Sequence, residues 1–315
     1  MNNEYYNNKY NAQESSVIFW EDILEKLSKR DKEIFRILVS SGVSEEKEAK
    51  ELIINSFIYK QKKPPSMNAA YLSIKTFSNM GLLDKKRMST GYRPFNILII
   101  TDLGKQIYRM LFKKEPPEQE HMKLAGEHAS IQHAYMIKDV KTILEKTGNY
   151  NRVTMGRKEN HIALPDGRKI IPDVIATISP YHRHFIEVEC GNHHQNDFND
   201  KCNRLASLSR SIIIVGGSRN EVNRILKPQV ENFIRFKGPN VLKISQTHIY
   251  LFSISDLSKG IITYHYDMSS DEPVCGFGRH RETSQPPVQE DISENGQGQS
   301  QCDPDKCRNS SQCHS

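Results

Sequence analysis

Ile170-Ile171-Pro172-Asp173-Val174-Ile175 is followed, after a short break, by Phe185-Ile186-Glu187-Val188-Glu189, with Glu187 fourteen positions beyond Asp173. Alternate residues of a β-strand share a face and rise about 3.3 Å each. Glu187 and Glu189 therefore project together, roughly 6.6 Å apart, while Ile186, Val188 and Cys190 take the opposite, apolar side. If the strand carrying Asp173 pairs alongside, three carboxylates crowd one patch of sheet. Acids so placed repel one another and resist ionising unless a cation compensates. An oxygen-rich pocket of this kind suits a hard divalent cation, Mg²⁺ (or Mn²⁺), which is the chemistry of phosphodiester cleavage. The competing account is a set of solvated carboxylates, and the apolar flanks Ile170, Ile171, Val174, Ile175, Phe185, Ile186 and Val188 argue against it.

The elements that must position these acids read as alternating helices and strands. A helix from about Glu127 to Lys146 is followed by a strand at Arg152 to Met155. The carboxylate strands, Lys169 to Thr177 and Arg183 to Cys190, form an antiparallel hairpin with Pro180 in its turn. A helix at about Asp197 to Ser209, a strand at Ser211 to Gly216, a helix at Asn220 to Phe236 and a strand at Thr247 to Ser253 complete the order. That alternation gives an α/β layered fold with a mixed sheet. Lys201 shares a helical face with Leu205 and Leu208. Its amine either snorkels to water along its aliphatic stem or meets the acids. Glu127, at the start of its helix, would complement the helix dipole.

Ahead of this lies a mostly helical segment. Apolar stripes mark helices at Asp31 to Ser40, Glu45 to Tyr59 and Met67 to Met80, with Ser66 as a cap and Gly81 as a stop. A hairpin ending in the apolar run Phe95 to Ile100 comes next, and then a helix capped by Thr101. Between Lys60 and Arg93 eight basic residues face one acid, Asp84. Of these, Lys62, Lys63, Lys75, Lys85, Lys86, Arg87 and Arg93 are the candidate phosphate contacts, the alternative being a solvated charged face.

Composition sets the frame. The chain has 315 residues, 37% hydrophobic and 26% charged, a net charge of +6, an isoelectric point near 8.8 and a mean hydropathy of -0.64. It reads as a disordered start at 1–16, a helical domain at 17–112, a linker at 113–120 with Pro116 and Pro117, an α/β domain at 121–266, and a disordered tail at 267–315 poor in aliphatic residues. No apolar run is long enough to span a membrane, and Met1 to Ser16 lacks the core of a secretory signal. Six cysteines over this length, Cys190 and Cys202 among them, fit reduced thiols in a cytoplasm. The mild positive charge permits a nucleic-acid partner. Weaker signals are His193-His194, the turn Gly216-Gly217-Ser218, and Cys302, Cys307, Cys313 and His314, whose spacing lacks the paired knuckles of a zinc site.

Helix, strand, a hairpin carrying PD and E-x-E, helix, strand and helix resemble the PD-(D/E)xK nuclease superfamily, a restriction-endonuclease-like fold. The resemblance implies that Asp173 and Glu187 bind Mg²⁺ and that a helix Glu, matched by Glu127, assists. Glu189 stands where a Lys is usual, so either Glu189 is the base or Lys201 supplies a migrated cation. The N-terminal order of three helices, hairpin and helix resembles winged-helix regulators, whose hairpin is the wing and whose third helix reads DNA. From about Asp31 to Ile254 the whole resembles the replication-relaxation family of plasmids and other mobile elements of Gram-positive bacteria, with its Leu-Gly helix start after the wing, the helix containing His128, PD, E-V-E-C-G and Lys201. It implies a DNA partner, and leaves room for replication or mobilisation proteins and a homodimer. Two functions follow: Mg²⁺-dependent nicking or cleavage of DNA, or a non-catalytic DNA-binding replication or transcription regulator on a degenerate nuclease fold. A protein-contact adaptor is the third.

Overall fold

Ile34, Phe35, Leu38 and Val39 lie on one stripe of helix α1 (Lys29–Ser41), and these are the side chains it buries. Ser28 and Asp31 cap it reciprocally, and Gly42, at φ +69°, ends it in the left-handed region. In this computed structural model residues 20–58, 66–128, 130–164, 166–191, 194–237 and 247–268 are described. Helices α2 (Glu46–Ile58) and α3 (Met67–Asn79) follow, the latter capped by Ser66 as expected. Strands β1 (Leu83–Ser89) and β2 (Pro94–Ile100) pair antiparallel, and Thr101 caps α4 (Asp102–Phe112). Phe35, Ile53, Phe77, Leu82 and Ile107 close a shared core. Gly104 is required there, because a Cβ would lie 2.2 Å from the Leu82 carbonyl oxygen.

The expected linker is firmly held. Gln119 is buried; its side-chain carbonyl accepts from the Ile100 amide at 2.8 Å and its amide donates to the Leu98 carbonyl at 3.0 Å, so it acts as a strand neighbour for β2. It leads into α5 (Glu120–Glu127), a separate helix. Glu127 therefore ends a helix rather than starting one. Backbone at His128 is extended, and Ser130, accepting from the His133 amide, caps α6 (Ile131–Thr147).

The second half is a mixed α/β structure around a six-stranded sheet in the order β10-β9-β8-β7-β6-β3. Its strands are β3 (Arg152–Met155), β6 (Val174–Ser179), β7 (His182–Glu189), β8 (Ser211–Gly216), β9 (His248–Ser253) and β10 (Tyr264–Asp267). The β3-β6-β7 pairings are antiparallel, β7-β8-β9 parallel, and β9-β10 antiparallel. A small ribbon, β4 (Ile162–Ala163) and β5 (Lys169–Ile170), stands apart. The strand expected over Lys169 to Thr177 is thus cut at Ile171-Pro172-Asp173, where Pro172 has no N–H to continue a ladder. The turn at Pro180 is as expected.

Strand parity sorts the two faces. Val174, Ala176, Ile186, Val188 and Val215 pack under Met136, Ile137 and Val140 of α6. Phe185, Ile212, Ile214, Ile249 and Leu251 pack under α7 (Gln195–Ala206) and α8, which runs through Arg219–Glu221, a π-helical turn at Val222–Leu226, and Lys227–Lys237. A short helix, α9 (Ile254–Leu257), joins the last strands.

Arg93, expected to face phosphate, instead bridges the two halves. Its guanidinium donates to Glu45 at 2.7 and 3.1 Å and to Asp139 of α6 at 2.7 and 2.9 Å, and its side chain is 27% exposed. Tyr92 donates its hydroxyl hydrogen to the same Asp139. Burial opposes the Arg93 charge, but these two carboxylates outweigh it and hold the guanidinium ionised. Phe95 and Ile97 of β2 pack with Leu124, Ala134 and Tyr135 beside it. We expect Arg93→Ala to lower stability by roughly 2–3 kcal/mol, as the loss of a half-buried ion pair that leaves two acids without their cation. Arg93→Lys should recover part of this, because an ammonium cannot fork onto both; urea midpoints measure both.

Candidate cation and phosphoryl-transfer site

Asp173 directly precedes β6, and the β6–β7 register, Val174 opposite Ile186, carried on by one pair sets it opposite Glu187. Its backbone is fixed from the neighbouring strand end, where the Gly156 amide donates to the Asp173 carbonyl at 2.8 Å. A Cβ on Gly156 would fall 1.9 Å from the Pro172 carbonyl oxygen, so this close approach admits glycine alone. The Asp173 carboxylate accepts from the Val188 amide at 2.9 Å, which pins it to the end of β7.

Glu187 and Glu189 share the α7 face of β7, as their parity requires, and are 2% and 1% exposed. Between them lies Lys201 of α7, its Nζ 2.9 Å from Glu187 Oε2 and 2.8 Å from Glu189 Oε1. The amine on the apolar stripe has thus met the acids rather than water. Burial opposes its charge, but Glu187, Glu189 and Asp173 together hold it protonated. Burial, and then the facing charge of Asp173, hold the Glu187 carboxyl well above its ordinary range despite the lysine. Its second oxygen, Oε1, is buried and accepts from no donor, and the carboxyl's other close polar neighbour is Asp173, with which the protonated form shares a hydrogen bond. Cys202, one residue on, is buried beside the acids, and Cys190 lies just beyond Glu189; burial and negative neighbours raise both thiols, Cys190 to about 11, which makes them poor nucleophiles.

Two histidines complete the group. His133, in the first turn of α6, has Nε2 2.8 Å from the Val188 carbonyl oxygen and 3.5 Å from Asp173 Oδ2. Burial disfavours its charge, but the hydrogen bond and charge of Asp173 overcome this and raise its pKa. The same pair, with Lys201, overcomes the burial of Asp173 and lowers its pKa. His128 is pushed down by burial, and its Nε2 is buried without a hydrogen-bond partner. One ligand atom each of His128, His133 and Asp173 lie within 4.8 Å of one another. One sign of His133 is present in the sequence: it falls four and seven positions before Ile137 and Val140, on the apolar stripe of α6.

The structure thus brings together Asp173, Glu187, Glu189 and Lys201, and adds His128 and His133. Glu127 stands at the end of α5 with its carboxylate 3.8 Å from Arg157, outside that group of three. Lys75 on α3 and Lys85, Lys86 and Arg87 on β1 are exposed. Lys85 is paired with Glu46 at 2.7 Å. Lys62, Lys63, His193 and the tail cysteines lie outside the described residues. The Gly217 amide donates to Glu221 Oε2 at 3.0 Å, which accounts for the Gly216-Gly217-Ser218 turn without a phosphate. Among the described residues no helix is long and apolar enough to cross a membrane. No family model, curated protein or solved structure matches this chain.

A carboxyl whose folded pKa is raised contributes stability that is full below its unfolded pKa and lost as the pH rises through the folded value. For Glu187 that loss begins above about 4.5. In chelator-treated buffer Glu187→Gln, which keeps the shape and cannot ionise, should therefore be more stable than wild type at neutral pH. The gap should close on acidification below 4.5, as read from urea midpoints across pH.

Proposed function

We propose that this chain is a DNA-binding protein of the mobile-element, replication-relaxation type whose α/β half hydrolyses a phosphodiester bond with Mg²⁺ (or Mn²⁺) at a PD-(D/E)xK-like site. The observation that carries the reading is the convergence of Asp173 and Glu187 beside Lys201, with one buried Glu187 oxygen lacking a donor. Support also comes from the succession α6, β3, β6, β7, α7, β8, which is the order the resemblance implies.

The residues fit a divalent cation: two facing carboxylates, one with an unsatisfied oxygen almost shut off from water, are a donor set that a hard ion completes. Asp173 and Glu187 would hold it, and when bound it supplies positive charge to phosphate and a more acidic water. Lys201 is the group that stabilises charge developing on the phosphoryl oxygens, since its ammonium stays protonated. Glu189, nearly shut off from water and tied to Lys201, is suited to orienting that ammonium rather than to acting as base. The exposed cations Lys75, Lys85, Lys86 and Arg87 would hold the DNA backbone, with α3 and the β1–β2 hairpin in the places of reading helix and wing.

A second reading, a non-catalytic DNA-binding replication or transcription regulator, is favoured by one observation. Lys201 is already in contact with Glu187 and Glu189, and His133 with Asp173, a closed set of polar partners that would hold the fold without any substrate.

Wild type should nick supercoiled plasmid in Mg²⁺ or Mn²⁺. Asp173→Asn should lose at least about a hundredfold in rate, the scale of removing one electrostatic element of such a site, with gel-shift affinity retained. Failure of wild type to nick, with DNA binding intact, would leave the regulator. Neutralising Lys85, Lys86 and Arg87 together should weaken DNA binding and reduce the slope of log K against log salt by about 0.9 for each phosphate no longer neutralised; an unchanged slope would move the DNA interface elsewhere.

A further inference from the structure

We propose that His128, His133 and Asp173 form one mixed nitrogen and oxygen site that selects a first-row transition ion of the Mn²⁺, Co²⁺ or Zn²⁺ kind over Mg²⁺. The inference deepens, and rests on, the reading of Asp173 as part of a cation site. An all-oxygen pocket is what Mg²⁺ requires, whereas imidazole nitrogen favours the softer divalent ions. Here a histidine flanks Asp173 from each side of the α5–α6 junction: His128 ends α5 and His133 opens α6. Their ligand atoms and one Asp173 oxygen already lie within 4.8 Å of one another.

A second observation points a ligand into this triangle. Nε2 of His128 is buried with no partner. Buried polar atoms are nearly always satisfied, and a cation among His128, His133 and Asp173 would satisfy this one. His133 is positioned for the same role. Its Nε2, now 2.8 Å from the Val188 carbonyl oxygen and 3.5 Å from Asp173, would give up a proton and turn its lone pair to the ion. The Val188 carbonyl, released from that hydrogen bond, adds an oxygen at the same corner. Lys201 lies on Glu187 Oε2, outside this group of three, and need not move.

The test uses the full chain stripped with chelator. Co²⁺ is followed by visible absorbance, Mn²⁺ by loss of the free-ion spin-resonance signal, and Mg²⁺ by competition against Mn²⁺. One Co²⁺ per chain is expected, with Mg²⁺ at least about a hundredfold weaker. His128→Ala and His133→Ala should each weaken Co²⁺ by at least about tenfold while moving Mg²⁺ by less than about threefold, and Asp173→Asn should weaken both. If an alanine variant does not melt cooperatively, glutamine replaces it; at 133 it keeps a donor for the Val188 carbonyl without an imidazole. Histidine variants that bind Co²⁺ like wild type, Mg²⁺ binding as tight as Mn²⁺, or no ion bound at all would each overturn the proposal, the last leaving a proton shared by Glu187 and Asp173. Mg²⁺-supported nicking that ignores both histidines would sink this inference and spare the nuclease reading. Co²⁺ binding that needs both histidines, with no nicking in any ion, would do the reverse.

Discussion

The half-buried ammonium of Lys201, seated between two carboxylates, is the interaction on which the α/β half depends. Glu187 and Glu189 sit two residues apart on the same face of β7, under a helix and almost out of water. Each would carry a desolvation penalty of several kcal/mol if left alone. One lysine at 2.8 and 2.9 Å answers both, because α7 brings Lys201 to the C-terminal end of β7. That placement depends in turn on the turn at Gly191, whose φ of +70° and close approach to Ile225 of the π-helical segment leave little room for a side chain. Charge placement and chain path are therefore one constraint.

Much of this is readable from residue order. Period-two alternation puts Glu187 and Glu189 on the face opposite Ile186 and Val188, and the structure keeps that parity. A lysine on an apolar stripe signals a partner, and two partners are there. The mixed sheet, the caps at Ser66 and Thr101 and the Pro180 turn follow from local chemistry that a window of a few residues contains. What residue order hides is non-local. Arg93 looks like one more cation in a basic run, while its acids stand 46 and 48 residues away and nothing in its neighbourhood reveals them. His133 answers to a backbone carbonyl 55 residues on, and sequence does not advertise carbonyls. Ser130 does offer a cap signal for a helix start, yet the helix expected from about Glu127 begins only after it, and Glu127 closes a separate helix instead.

The contact between the halves is built from the same materials as the site: acids held by buried cations. Arg93 joins the Glu45 corner to Asp139 of α6, and Lys138, one residue earlier on that helix, reaches Glu48 of α2 at 2.5 Å and Glu120 of α5 at 2.7 Å. Helix α6 thus carries His133 toward the carboxylates and Lys138 and Asp139 toward the helical half.

Phe95 and Ile97 of the hairpin share a core with Leu124, Ala134 and Tyr135, and Gln119 supplies the hydrogen bonds that a missing strand would have given β2. The chain is modular to the eye, yet its halves share one seam. A cut anywhere in 113–118 would uncover that apolar seam on both products and leave Asp139 without the arginine that stays with Glu45, so neither fragment inherits a finished surface. For the same reason, a recombination event that swapped one half for a relative's would have to carry this seam across with it.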